Sequence, residues 1–92
     1  MNIGDRVRTN REFSGIPVGS EGIIVEDYGS GLTVAWDLPD KPYPNDLMPQ
    51  QVAQLWAVNP ICPIRDGFDK ETELHYLELV AIDITPEPNK LT

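Results

Sequence analysis

The amino-acid sequence predicts one small, mainly β domain of five strands, and three features carry that expectation. Apolar and polar residues alternate with period two in several stretches, a glycine-bearing turn joins the two strongest of them, and prolines break up the one region that could otherwise form a long helix. The 92 residues, 40% of them hydrophobic and 24% charged, suffice for a single core and are too apolar to remain disordered.

The elements follow in chain order. From Ile3 to Thr9, Ile3, Val7 and Thr9 fall on one side and Arg6 and Arg8 on the other, the pattern of a half-buried first strand. Phe13 to Ser20 mixes glycines and a proline with apolar residues, which predicts an ordered loop tucked onto the core by Phe13 and by Ile16 or Val18. Ile23, Ile24 and Val25 are β-branched and suit a pleated surface. The turn Asp27-Tyr28-Gly29-Ser30-Gly31 follows, and then Leu32, Val34 and Trp36 alternate on an inward face, so Glu21 to Asp37 reads as a β-hairpin. Residues 38–63 are a Pro-rich insertion. Within it the proline-free stretch from Gln50 to Val58 places Val52, Leu55 and Trp56 at helical spacing and predicts a short helix after Pro49. Ile64 to Phe68 predicts a short strand, Asp69 to Leu74 a single helical turn, and His75 to Ile82 the last strand, with a frayed tail over 85–92 behind a domain spanning 1–84. The predicted core is Val7, Ile23, Val25, Val34, Trp36, Leu77 and Leu79.

Four segments together resemble a bacterial SH3-like small barrel of the KOW-type or a related kind: Gly4-Asp5-Arg6-Val7-Arg8, Gly19-Ser20-Glu21-Gly22-Ile23-Ile24-Val25, Val34-Ala35-Trp36-Asp37 and Tyr76-Leu77-Glu78-Leu79-Val80. The resemblance covers roughly two thirds of the chain and implies a five-stranded SH3-like barrel carrying the insertion 38–63. Gly22 is the candidate for the point where the sheet bends and two backbones approach closely. KOW-type domains often bind RNA or ribosomal partners. This chain departs from them in its charge, so the resemblance carries the fold and not that activity.

Seven basic against fifteen acidic residues give a formal charge of −8, which repels nucleic-acid phosphates and anionic membrane surfaces alike and suits a protein partner with a basic patch. Cys62 is the only cysteine, so no intramolecular disulfide forms, and the polar N-terminus with no apolar run of membrane-spanning length reads as cytoplasmic. One cysteine and one histidine, Cys62 and His75, do not make a tetrahedral zinc set. Ser14, Ser20, Ser30 and His75 show no nucleophile signature, and Gly29-Ser30-Gly31 lacks the lysine of a phosphate loop. Asp66, Asp69, Glu71 and Glu73 do not follow EF-hand spacing, and Asp37 with Asp40 reads more simply as a pair of solvated loop acids than as an acid and base.

No catalytic residue and no cofactor or metal ligand is therefore expected. The sequence reads first as a non-catalytic protein-binding module or accessory subunit. An acidic, phage-encoded type of inhibitor that mimics nucleic acid is the alternative, and a metal-dependent enzyme comes third. The strands already supply enough inward apolar residues for a small barrel, which leaves Leu47, Met48, Val52, Leu55, Trp56, Val58 and Ile61 in surplus. Tyr43, Leu47, Met48, Leu55 and Trp56 are the candidate partner-binding residues, with Trp56 deciding between a surface that packs back on the barrel and one left open for another chain.

Overall fold

A computed structural model of the chain describes residues 1–55 and 63–80. Five strands pair antiparallel: β1 (Arg6–Thr9), β2 (Glu21–Asp27), β3 (Gly31–Asp37), β4 (Arg65–Asp69) and β5 (Leu77–Leu79). They form one sheet in the order β4-β3-β2-β1-β5. A helix, α1 (Pro49–Leu55), lies in the long β3–β4 connection, and a 3-10 turn, Leu74–Tyr76, leads into β5. The expected strand number and mainly β class are present, but the sheet is open where a closed barrel was expected. Its ends are β4 and β5, and β5 supplies only three residues, which pair with β1.

β1 is shorter than the alternation predicts. Asn2 to Asp5 closes a turn through the Asp5 N–H and the Asn2 carbonyl at 3.0 Å, with Gly4 at φ 97°, so the ladder begins at Arg6 and Ile3 is left exposed. Val7 and Thr9 do face the core. In the loop that follows, Phe13 and Ile16 exchange both backbone hydrogen bonds across Ser14 and Gly15. Those two have φ values of 53° and 85°, the positive pair that a type I′ turn requires. This miniature hairpin sets the Phe13 ring 4.5 Å from that of Phe68 and buries Ile16, while Val18 stays in solvent.

The β2–β3 hairpin runs where the sequence places it, but the face assigned to β2 is corrected. Gly22 stands opposite Trp36 and Ile24 opposite Val34, so Ile24 joins Val7, Ile16, Leu32, Val34, Trp36, Phe68 and Leu77 in the main cluster. Val25 is the extra residue of a β-bulge between Ile24 and Glu26; it is buried on the opposite face, towards which Ile23 also packs. Gly22 makes room for the indole: a Cβ there would lie 2.7 Å from both the Ala35 carbonyl oxygen and Val34 Cγ1, and 3.1 Å from Trp36 Cε3.

β4 begins at Arg65, one residue later than expected. Between β4 and β5, the Asp69 carboxylate accepts the N–H groups of Glu71 and Thr72 while the Glu73 carboxylate accepts that of Asp69, a reciprocal cap that folds residues 70–73 as a turn. The last strand is likewise shorter than expected, since His75 and Tyr76 belong to the 3-10 turn. Leu77 is buried, whereas Leu79, assigned to the core, is 55% exposed: it stands opposite Val7 on an end strand. Residues 81–84 of the expected domain and the tail 85–92 lie outside the described residues.

Candidate partner-binding surface

Residues 38–55 leave β3 and return across the face of the sheet opposite the main cluster. Tyr43 and Val52 pack there with Val25 and Ala35, and Ile23, Leu47 and Ala53 lie against them. β3 is therefore buried on both faces, and part of the apolar surplus is absorbed in a second, smaller cluster. The local sequence explains the path. Leu38 and Lys41 exchange backbone hydrogen bonds of 3.3 and 3.1 Å around Pro39 and Asp40, which reverses the chain at once after β3. The Asp37 carboxylate then accepts the Tyr43 N–H at 2.9 Å and points the Tyr43 ring at the sheet.

α1 starts by recognisable chemistry. Pro49 occupies the first helical position, and Gln51 two residues on returns its Oε1 to the Met48 N–H at 2.7 Å, half of a capping box. Leu47 and Val52 hold the positions of a hydrophobic staple. The residue at the cap itself, Met48, has no side-chain oxygen to offer the helix, and it is 62% exposed.

The five candidate residues thus separate. Tyr43 is 6% exposed and anchors the segment. Leu47 and Leu55 are half-buried, and Met48 projects into solvent. Trp56 lies outside the described residues, as do Val58, Ile61 and Cys62 of the sequence argument. Among the described residues the buried Tyr43 hydroxyl has no hydrogen-bond partner, and burial pushes its ionisation upward.

The arginines of the first strand are neutralised within the fold. Arg6 donates from Nε to Glu21 at 2.5 Å and from Nη2 to Asp37 at 2.9 Å, and Arg8 lies 4.0 Å from Glu21 and 3.8 Å from Glu78. Asp37 is consequently held below the usual carboxylate range, first by the Tyr43 N–H and then by the Arg6 guanidinium. The same pairings with Asp37 and Glu21 raise Arg6. Asp37 is therefore a structural acceptor, while Asp40 is exposed beside it. Arg11 stacks over the Tyr76 ring at 4.3 Å, the His75 ring packs edge-on against the same ring at 4.4 Å, and Asn10 Nδ2 donates to the His75 carbonyl at 2.7 Å. On the main-cluster face, Trp36 Nε1 donates to Asp66 at 2.7 Å, and burial raises the Asp66 carboxyl despite that bond.

Among the described residues no group of three His, Cys, Asp or Glu side chains is placed to hold a metal ion, and no helix is long and apolar enough to cross a membrane. Sequence reasoning passed over Tyr28, which it left inside a turn; the legible signal was an aromatic residue between Asp27 and Gly29, where a turn needs none. Compared with known protein families, characterised proteins and solved structures, the chain has no significant match.

Proposed function

We propose that the chain is a non-catalytic protein-binding module with an SH3-like arrangement of strands, and that it meets its partner through the outer side of the insertion at Met48 and Leu55. Leu47 and Tyr43 support that surface from beneath. The return of β5 to the free side of β1, directly after a 3-10 turn, supports the SH3-like reading. The observation that carries the binding site is Met48. A helix cap favours Ser, Thr, Asp or Asn, and an apolar side chain normally finds a core; among the described residues the exposed Met48 side chain neither caps α1 nor joins either apolar cluster. Positions that break local rules without a compensating gain are where function is to be sought. A flexible thioether beside half-buried leucines, on a segment whose inner side is anchored by Tyr43 and Val52, suits an adaptable apolar contact. Pairing of Arg6 with Glu21 and Asp37 favours a protein partner over a nucleic acid.

The test is affinity capture from the native cell with wild-type protein and with Met48→Asp, read by quantitative mass spectrometry. A partner retained by the wild type and lost from the variant is the expected result. Identical sets of captured proteins would overturn this placement of the site.

A further inference from the structure

The geometry points to a second contact within the same binding function: the exposed ring of Tyr28, rimmed by carboxylates, receives an arginine side chain of the partner protein. The inference rests on the protein-binding reading but uses a different part of the molecule, the tip of the β2–β3 hairpin.

Tyr28 is 56% exposed, yet it is not loosely held. Its N–H donates to the Gly31 carbonyl at 3.0 Å and its carbonyl accepts the Ser30 N–H at 3.1 Å. The tip is tied in turn to the end of β4, where the Lys70 N–H donates to the Ser30 carbonyl at 2.9 Å and Lys70 Nζ to Asp27 at 2.9 Å. The ring reaches back over β3 and β4 at two glycines. A Cβ on Gly31 would lie 2.5 Å from the Tyr28 hydroxyl and 2.7 Å from Cζ, and one on Gly67 would lie 3.1 Å from the hydroxyl. Two positions without side chains thus let the tip of the ring lie on the sheet, and much of the ring remains in solvent.

Two acids share the face on which the ring lies, Glu26 opposite Thr33 and Asp69 opposite Gly31, while Asp27 stands opposite Leu32 on the other face. Lys70 is engaged by Asp27, and Asp69 by the backbone of the next turn. A preplaced π face with carboxylates at its edge is the chemistry that recognises a cation. Guanidinium fits better than ammonium, because its planar fork stacks on a ring while still donating to carboxylates. The formal charge of −8 attracts a basic partner to the whole molecule, and Tyr28 supplies a place where one of its arginines docks.

The probe is a fluorescein-labelled peptide of arginines spaced by glycine and serine, with a lysine counterpart, titrated against the full chain at low and physiological salt. The arginine peptide should bind more tightly than the lysine one. Tyr28→Leu should weaken it by about fivefold, the scale of one cation–π contact, whereas Tyr28→Phe should stay within about twofold of wild type. Asp46→Asn, an exposed acid in the insertion, controls for net charge. Equal affinities for wild type and Tyr28→Leu, or an equal loss on Asp46→Asn, would overturn the inference. Should Tyr28→Leu unfold, the Tyr28 ring protons decide the matter by NMR: they shift on saturation with the arginine peptide if the ring is the site, and an unmoved ring refutes it. Self-association through this tip, seen as a dimer in analytical ultracentrifugation that Tyr28→Leu abolishes, would assign the surface to a second copy and also overturn it. The titration uses a synthetic peptide and no captured partner, so its failure is separable from failure of the Met48 capture experiment.

Discussion

Gly22→Ala puts a single methyl group where the sheet has no room for it. The added carbon would sit 2.7 Å from a backbone oxygen and from a fully buried valine methyl, with the Trp36 ring at 3.1 Å behind them. None of these can swing aside: the oxygen belongs to the Ala35 peptide in the middle of the sheet, and Val34 and Trp36 are both fully buried. Ordinarily a glycine in a strand interior costs about 0.5–1 kcal/mol relative to alanine, so the substitution should otherwise help. Overpacking in a close-packed core costs about 1–3 kcal/mol, so a net destabilisation of roughly 1–2 kcal/mol is expected. For a domain of this size that corresponds to a fall in Tm on the order of 5–15 °C. Thermal unfolding followed by tryptophan fluorescence reads it. Gly67→Ala is the internal control, because its Cβ would meet only the hydroxyl end of the exposed Tyr28 side chain at 3.1 Å and a carbonyl oxygen at 3.9 Å. It should shift stability by less than about 0.5 kcal/mol. A Gly22→Ala protein as stable as wild type would refute the close approach of β2 and β3 at this point.

Three further expectations concern the same framework. Leu77→Ala should cost about 2–4 kcal/mol and Leu79→Ala less than about 1, since the first is buried and the second half in solvent; equal losses in urea titrations would contradict the position of β5. Tyr43→Phe removes a buried hydroxyl that has no partner among the described residues, so chemical denaturation should find it as stable as wild type or more so by up to about 1 kcal/mol, and a clear loss would mean the hydroxyl is bonded. Asp37 and Asp66 should oppose each other in acid. Asp37, lowered in the folded state, contributes stability that is present above its unfolded value and lost as pH falls through the folded one; Asp66, raised, disfavours the fold above its folded value and is relieved as pH falls through it. Unfolding curves between pH 7 and 3 should therefore show Asp37→Asn flattening the acid limb and Asp66→Asn steepening it, and identical limbs would exclude both assignments.

The hairpin was legible because its signals agree: β-branched residues, a turn with two glycines, then Leu32, Val34 and Trp36 in strict alternation. The face of β2 was not, because Ile23, Ile24 and Val25 are all apolar and any register satisfies them; the bulge at Val25 is a tertiary decision, made when Gly22 accommodates Trp36 and the insertion covers the far face. A second cluster was expected as one of two alternatives, but its place was not legible, since a mixed run of prolines and apolar residues does not encode which side of a sheet it crosses. The candidate binding residues could be named as a surplus but not sorted. Only the fold separates Tyr43, which turns inward after the Asp37 hydrogen bond, from Met48, which is stranded at the start of α1.

The central claim is that the insertion is a partner-binding surface centred on Met48 and held by Tyr43 and Val52. Its most direct test is the affinity of the captured partner for wild type, Met48→Asp and Val18→Asp, measured calorimetrically alongside each protein's thermal transition. Met48 and Val18 are similarly exposed, at 62% and 64%, but only Met48 lies on the insertion. Met48→Asp should lose affinity by about thirtyfold or more, the scale of an interface hot spot, while Val18→Asp stays within about twofold and both variants keep the wild-type transition. Equal affinity for all three proteins, or an equal loss in both variants, would contradict the account.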